Sequence, residues 1–198
     1  MSQPAPNPHT QRSVSGMVGS MIVLLVLIGG WLGFRSLTRD HDTTQYPTVD
    51  WQPVVKVGRS DKDLLLFAPP ALPSGWQART VTYNAGNFPH WHLGLLTGKG
   101  KYVGIEESFD PVADLASQFV DENAQRGKDV LIGGRRWQTW TDSGGDYAVA
   151  LNVSTGDGHS DSVMVVGSAP DQEIRDFAAT LTSNDPAAAS PAPSPSAG

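Results

Sequence analysis

The sequence has no cysteine in its 198 residues. Disulfides, thiolate metal sites and a lipid anchor on a thiol are therefore excluded, and the chain is compatible with either side of a membrane. Charge is sparse too: 17% of residues are Asp, Glu, Lys or Arg, with a net charge of -6. That balance argues against a nucleic-acid partner. Signature motifs are missing as well. There is no Gly-x-Ser-x-Gly elbow, no P-loop and no Gly-x-Gly-x-x-Gly, so no residue is marked for acyl transfer, nucleotide or dinucleotide chemistry.

What the chain does have is a long uncharged run. Residues 17–34 contain no Asp, Glu, Lys or Arg. At 1.5 Å per residue, a helix over residues 14–34 crosses a bilayer core of roughly 30 Å. Trp31 and Phe34 lie at one end with Arg35 and Arg39 just beyond, as in an interfacial anchor. No polar stripe repeats along the run, and no Ala-x-Ala cleavage site follows it. The sequence thus predicts a transmembrane helix at 14–34, with the lipid bilayer as its partner. It separates a tail at 1–13 from a stalk at 35–53. Arg12 precedes the run and Arg35 and Arg39 follow it, so flanking charge does not set the orientation. Residues 184–198, rich in Ala, Ser and Pro, read as a second tail without fixed structure.

Residues 54–183 read as one domain. Val54, Val55 and Val57 suggest a short edge strand, and residues 77–84 a second strand. Residues 90–97 and 101–108 flank Gly98-Lys99-Gly100, a hairpin loop. Its register pairs Leu95 with Val103, Leu93 with Ile105, Gly94 with Gly104 and Leu96 with Tyr102. A slip of one residue would scatter the apolar face. Asp110 and Pro111 read as N-cap and first turn of a helix. Val112, Leu115, Ala116, Phe119 and Val120 form its apolar stripe. Strands follow at 130–141, 147–155 and 163–168. Pro170 opens a last helix with a stripe of Ile174, Phe177, Ala178 and Leu181. The expected fold is α+β: an antiparallel sheet with two amphipathic helices packed on one face, the other face partly open.

Leu72-Pro73-Ser74-Gly75-Trp76 after the stalk, the later Arg136-Trp137 and the single N-terminal span resemble a family of actinobacterial single-pass membrane proteins defined by a domain of unknown function. The resemblance covers residues 14–182. It implies a domain outside the cytoplasmic membrane with the N-terminus in the cytoplasm, and it carries no catalytic residue or cofactor.

Two groups of residues have chemistry to offer. Tyr102, Arg135, Arg136, Trp137 and Trp140 combine positive charge with aromatic rings, a pairing common at binding surfaces. Trp137 and Trp140 have opposite strand parity, so both cannot face one core. His90, His92 and Glu106 share one face of the hairpin, a set suited to a divalent metal. Three ligands without Cys and without spare carboxylates favour no metal. Asp157, Gly158, His159 and Asp161 lack the calcium-loop pattern. On this reading His92→Ala costs little stability, because His92 leaves the sheet on its wetter face.

The expected function is an envelope domain that binds a ligand or protein partner without catalysis. The alternatives are an envelope hydrolase using His90, His92 and Glu106, or a membrane-tethered cytoplasmic regulator. Alkaline phosphatase fused to the C-terminus should be active, and a green fluorescent fusion dark. The opposite pair of results places the domain in the cytoplasm.

Overall fold

The computed structural model describes residues 47–154 and 159–184. The expected span at 14–34, the tail at 1–13 and residues 185–198 lie outside the described residues. Among those described, no helix is long and apolar enough to cross a membrane.

Eight strands form the antiparallel sheet: β1 (Gln77–Asn84), β2 (His90–Leu96), β3 (Tyr102–Ser108), β4 (Gln125–Arg126), β5 (Val130–Ile132), β6 (Arg135–Thr141), β7 (Tyr147–Ser154) and β8 (Ser160–Gly167). The order is β1-β2-β3-β8-β7-β6-β4, with β5 paired to β6. Among the described residues three helices accompany them: α1 (Gln52–Asp61), α2 (Val112–Phe119) and α3 (Asp171–Ala178). The fold is α+β, as expected. The β2–β3 register matches the sequence reading at Leu93↔Ile105, Gly94↔Gly104, Leu95↔Val103 and Leu96↔Tyr102. Its turn closes with Gly100 at φ 71 and Thr97 N–H donating to Lys101 O at 2.8 Å.

Strand alternation sorts the core into two layers. Trp91, Leu93, Leu95, Val103, Ile105, Val149, Val163 and Val165 face one side, where Val55 of α1 and Ile174, Phe177 and Ala178 of α3 cover them. Ala148, Ala150, Met164 and Val166 face the other side and pack on Val112, Leu115 and Ala116 of α2. The two helices expected on one face therefore lie on opposite faces. The small residues Ala148 and Ala150 make the second face shallow enough to admit a closely packed helix.

Other expectations change. Val54, Val55 and Val57 lie in α1, not in an edge strand, and Pro53 sits in the first turn where its missing N–H costs nothing. Residues 35–46 of the expected stalk lie outside the described residues, and its last residues pack on the domain: Val49 N–H donates to Ala78 O at 3.1 Å and Trp51 is buried. Asn184 N–H donates to Leu65 O at 3.1 Å, so the domain also reaches residue 184. Asp110 is not the N-cap of α2; Pro111 holds that position, and the Asp110 carboxylate accepts from Ser108 Oγ at 2.9 Å. The expected single strand at 130–141 is a hairpin. Gly133 and Gly134 take φ of 55 and 80, the two left-handed residues of a tight turn that twists with its strands.

The core also buries an acid pair. Glu107 lies on the α1/α3 face and is fully buried. Its carboxyl oxygens accept from Leu66 N–H at 2.8 Å and Phe67 N–H at 2.6 Å, and Asp161 accepts from Leu65 N–H at 2.6 Å. These bonds hold residues 64–68 as a buried strap. The strap passes beside Arg59, whose guanidinium donates to Thr182 O at 2.6 Å. Burial pushes the Glu107 carboxyl well above its ordinary value, and the adjacent Asp161 charge pushes in the same direction. The folded chain therefore keeps a proton that the unfolded chain releases at about the ordinary carboxyl value of 4.5. That contribution to stability is complete below the ordinary value and is lost as pH rises toward the raised one. Urea midpoints should thus fall between pH 5 and pH 7.5 more steeply for the natural chain than for Asp161→Asn. The Asn carbonyl can still accept from Leu65 while its amide donates to an ionised Glu107. Parallel pH profiles for the two proteins would contradict the coupling of Glu107 to Asp161.

Candidate functional site

The half of the α2-side sheet face on β1, β2 and β3 carries polar groups. Parity alone dictates which: Thr82↔His92↔Glu106 and Asn84↔His90↔Ser108 form two cross-strand rows. Thr80, two residues before Thr82, continues that register opposite Gly94, ahead of the shift toward Ala78, so that its hydroxyl joins the same group.

Glu106 is the centre of this group and only 1% exposed. His92 Nδ1 lies 2.6 Å from one carboxylate oxygen and His90 Nε2 lies 3.2 Å from the other. Thr80 Oγ1 lies 2.8 Å from His92 Nε2. A carboxylate only accepts, so the ring protons are assigned to His92 Nδ1 and His90 Nε2, and Thr80 donates to His92. The line runs Thr80–His92–Glu106–His90. Gly94 and Gly104 make room for it. A Cβ on Gly94 would collide with the Thr80 hydroxyl, and one on Gly104 with the Tyr102 ring. The space between the two glycines is thus filled by the side chains of Thr80, His92 and Tyr102. The Tyr102 phenol is pushed up to about 12, first by burial and then by the Glu106 charge.

His90 ends the line at a cavity. Its ring stacks on Phe119 with centroids 6.3 Å apart. Phe88, Phe109, Asp110 and Phe119 line a cavity of about 240 Å³ with it. Phe88 is 90% exposed. This cavity joins the end of β2, the residues after β3 and the last turn of α2. Its aromatic residues are far apart in sequence, and only the placement of α2 on this face brings them together.

The five residues expected to bind do not assemble. Trp137 is 2% exposed in the α1/α3 layer, and Trp140 packs partly buried on the α2 layer. Their opposite parity is as expected. The Arg135 guanidinium lies 5.2 Å from the Phe67 ring centroid, whereas Arg136 is exposed. Tyr102 stands on β3, with β8 and β7 between it and β6. His90, His92 and Glu106 do come together, but both imidazoles turn a nitrogen to the carboxylate. Among the described residues no group of three or more His, Asp or Glu has the geometry to hold a metal ion. Asp157 and Gly158 lie outside the described residues. His159 stacks on Phe109 at 5.1 Å, and Asp161 faces the buried strap.

The profile of the family described as "Protein of unknown function (DUF4245)" matches residues 9–181, and the chain belongs to that family. Membership leaves open the actinobacterial source and the single membrane span that the resemblance implies. Comparison with curated proteins finds no match. Among solved structures, a chain of the Pseudomonas aeruginosa MucA/MucB complex is similar with a TM-score of 0.35 at 15% identity, over 59% of this chain and 34% of that one. A structure of MucB in complex with MucA(peri) gives 0.35 and 15% over 59% and 36%. The chain thus covers about a third of the length of those two chains, and likeness at this level transfers no binding property.

The Glu106 bonds revise the expected effect of His92→Ala. The substitution leaves a buried carboxylate without its 2.6 Å donor, and should cost about 1–3 kcal/mol. Thr82→Ala, on the same face but exposed, should stay within about 0.5 kcal/mol. Equal urea midpoints for the two variants would show that His92 does not support Glu106.

Proposed function

We propose that this member of the DUF4245 family is a non-catalytic binding domain outside the cytoplasmic membrane, tethered through residues 14–34, with its N-terminus in the cytoplasm. It takes a small ligand or a side chain of an envelope protein in the cavity beside His90. The observation that carries this reading is the cavity itself: about 240 Å³ lined by three phenylalanines and by His90, whose ring is held by the buried Glu106. Exposed aromatic rings beside fixed polar groups are the usual composition of a recognition site. Arg136, outside the cavity, remains available as a peripheral contact.

A second reading, an envelope hydrolase, draws support from the Thr80–His92–Glu106 order. Hydroxyl, imidazole and carboxylate stand in hydrogen-bond sequence there, as for an activated nucleophile. The exposed position of Thr80 on the sheet-edge strand β1, without the sheltered cleft that excludes water in such sites, ranks it second.

The test is a photo-cross-linker in place of Phe88 in the full chain, irradiated in intact envelopes. A defined adduct, seen by gel or intact mass, is expected at position 88 and not at exposed Val57 on α1. No adduct at 88, or the same adducts at both positions, rejects the site.

A further inference from the structure

The cavity beside His90 presents rings and lone pairs without a balancing cation. Phe88, Phe109 and Phe119 line it with His90, Ser108 and Asp110, and no Lys or Arg is among its lining residues. Partners fix the role of each polar group. A neutral His90 that gives its Nε2 proton to Glu106 keeps Nδ1 as a lone-pair acceptor. Ser108 spends its hydroxyl proton on Asp110 at 2.9 Å and accepts the Asp110 N–H at 3.1 Å. Asp110 is an exposed carboxylate. Of the lining side chains, only the Gln118 amide retains protons to donate.

An anion entering here meets a carboxylate, lone pairs and the negative faces of aromatic rings. A cation is attracted by all three. The volume of about 240 Å³ is below the roughly 300–1,000 Å³ of drug-sized sites, so it suits a single head group. Two of the rings are already held by stacking, Phe119 on His90 and Phe109 on His159. Resting on the binding reading above, we infer that the cavity takes an organic cation, a guanidinium or ammonium group, between the phenylalanine rings with Asp110 at its mouth.

The full chain carries six phenylalanines, so 4-fluorophenylalanine labelling in neutral detergent micelles gives a tractable 19F spectrum. Phe→Leu substitutions assign it. Benzamidinium and benzamide, nearly equal in shape and different in charge, serve as probes. Saturable shifts of the Phe88, Phe109 and Phe119 signals are expected with benzamidinium, with buried Phe67 and Phe177 unmoved. Benzamide should bind at least about 10-fold more weakly. Asp110→Asn should weaken benzamidinium by about 3–10-fold, and Asp110→Glu should restore it. Agmatine and a capped Gly-Arg-Gly peptide separate the sources: agmatine binding as tightly marks a free small cation, and binding of the peptide alone marks a partner's side chain. Benzamide binding as well as benzamidinium, or no shift with any cationic probe, overturns the inference. If the Phe88 cross-link still forms, the binding reading survives that result; without the cross-link, both fall.

Discussion

Two consecutive carboxylates on β3 must be buried, and much of the structure answers that demand. Glu106 and Glu107 point to opposite faces of one strand, with exposures of 1% and 0%. A buried ionised group without partners costs several kcal/mol. On the α1/α3 face, burial first and then the neighbouring Asp161 push the Glu107 carboxyl up, and it captures the backbone N–H groups of Leu66 and Phe67. That capture holds Leu66 at a φ of 46, uncommon for a residue with a side chain, and it seats residues 64–68 under the sheet. On the α2 face, Glu106 is met by His90 and His92. One carboxylate organises the core and its neighbour organises the surface.

The placement of α2 connects that surface to function. Because α2 covers Ala148, Ala150, Met164 and Val166, it leaves the β1–β3 part of the same face to Thr80, His92, Glu106 and Tyr102. Its last turn brings Phe119 against His90, closing a cavity at the boundary between the covered and polar halves. Glu106 lies behind that boundary and fixes which His90 nitrogen remains as an acceptor. Such a site needs no moving part, since its walls are a strand, a helix and the stacked rings between them.

The β2–β3 register was legible because a strand period of two and a glycine loop leave only one pairing that keeps Leu93, Leu95, Val103 and Ile105 together. From that register the meeting of His90, His92 and Glu106 followed. Thr80 did not, because the sequence set no pairing register for residues 77–84 against the hairpin, and only the observed register places Thr80 opposite Gly94. The valines of α1 favour strands by propensity, and burial of Trp51 and Val55 overrode it. Gly133-Gly134 carried a tight-turn signal that, read as such, would have split the strand at 130–141 into its hairpin. The cavity was beyond local reading, because Phe88, Phe109 and Phe119 meet only once α2 has chosen its face.

The central claim is that Glu106 fixes both imidazoles by accepting from one nitrogen of each. Two-bond 1H–15N NMR of the full chain, labelled at histidine, reads the protonated nitrogen directly. The account predicts the proton on Nδ1 of His92 and on Nε2 of His90, with both patterns lost or averaged in Glu106→Ala while the His159 pattern is unchanged. The opposite tautomer on either ring, or the same patterns in Glu106→Ala, would contradict it.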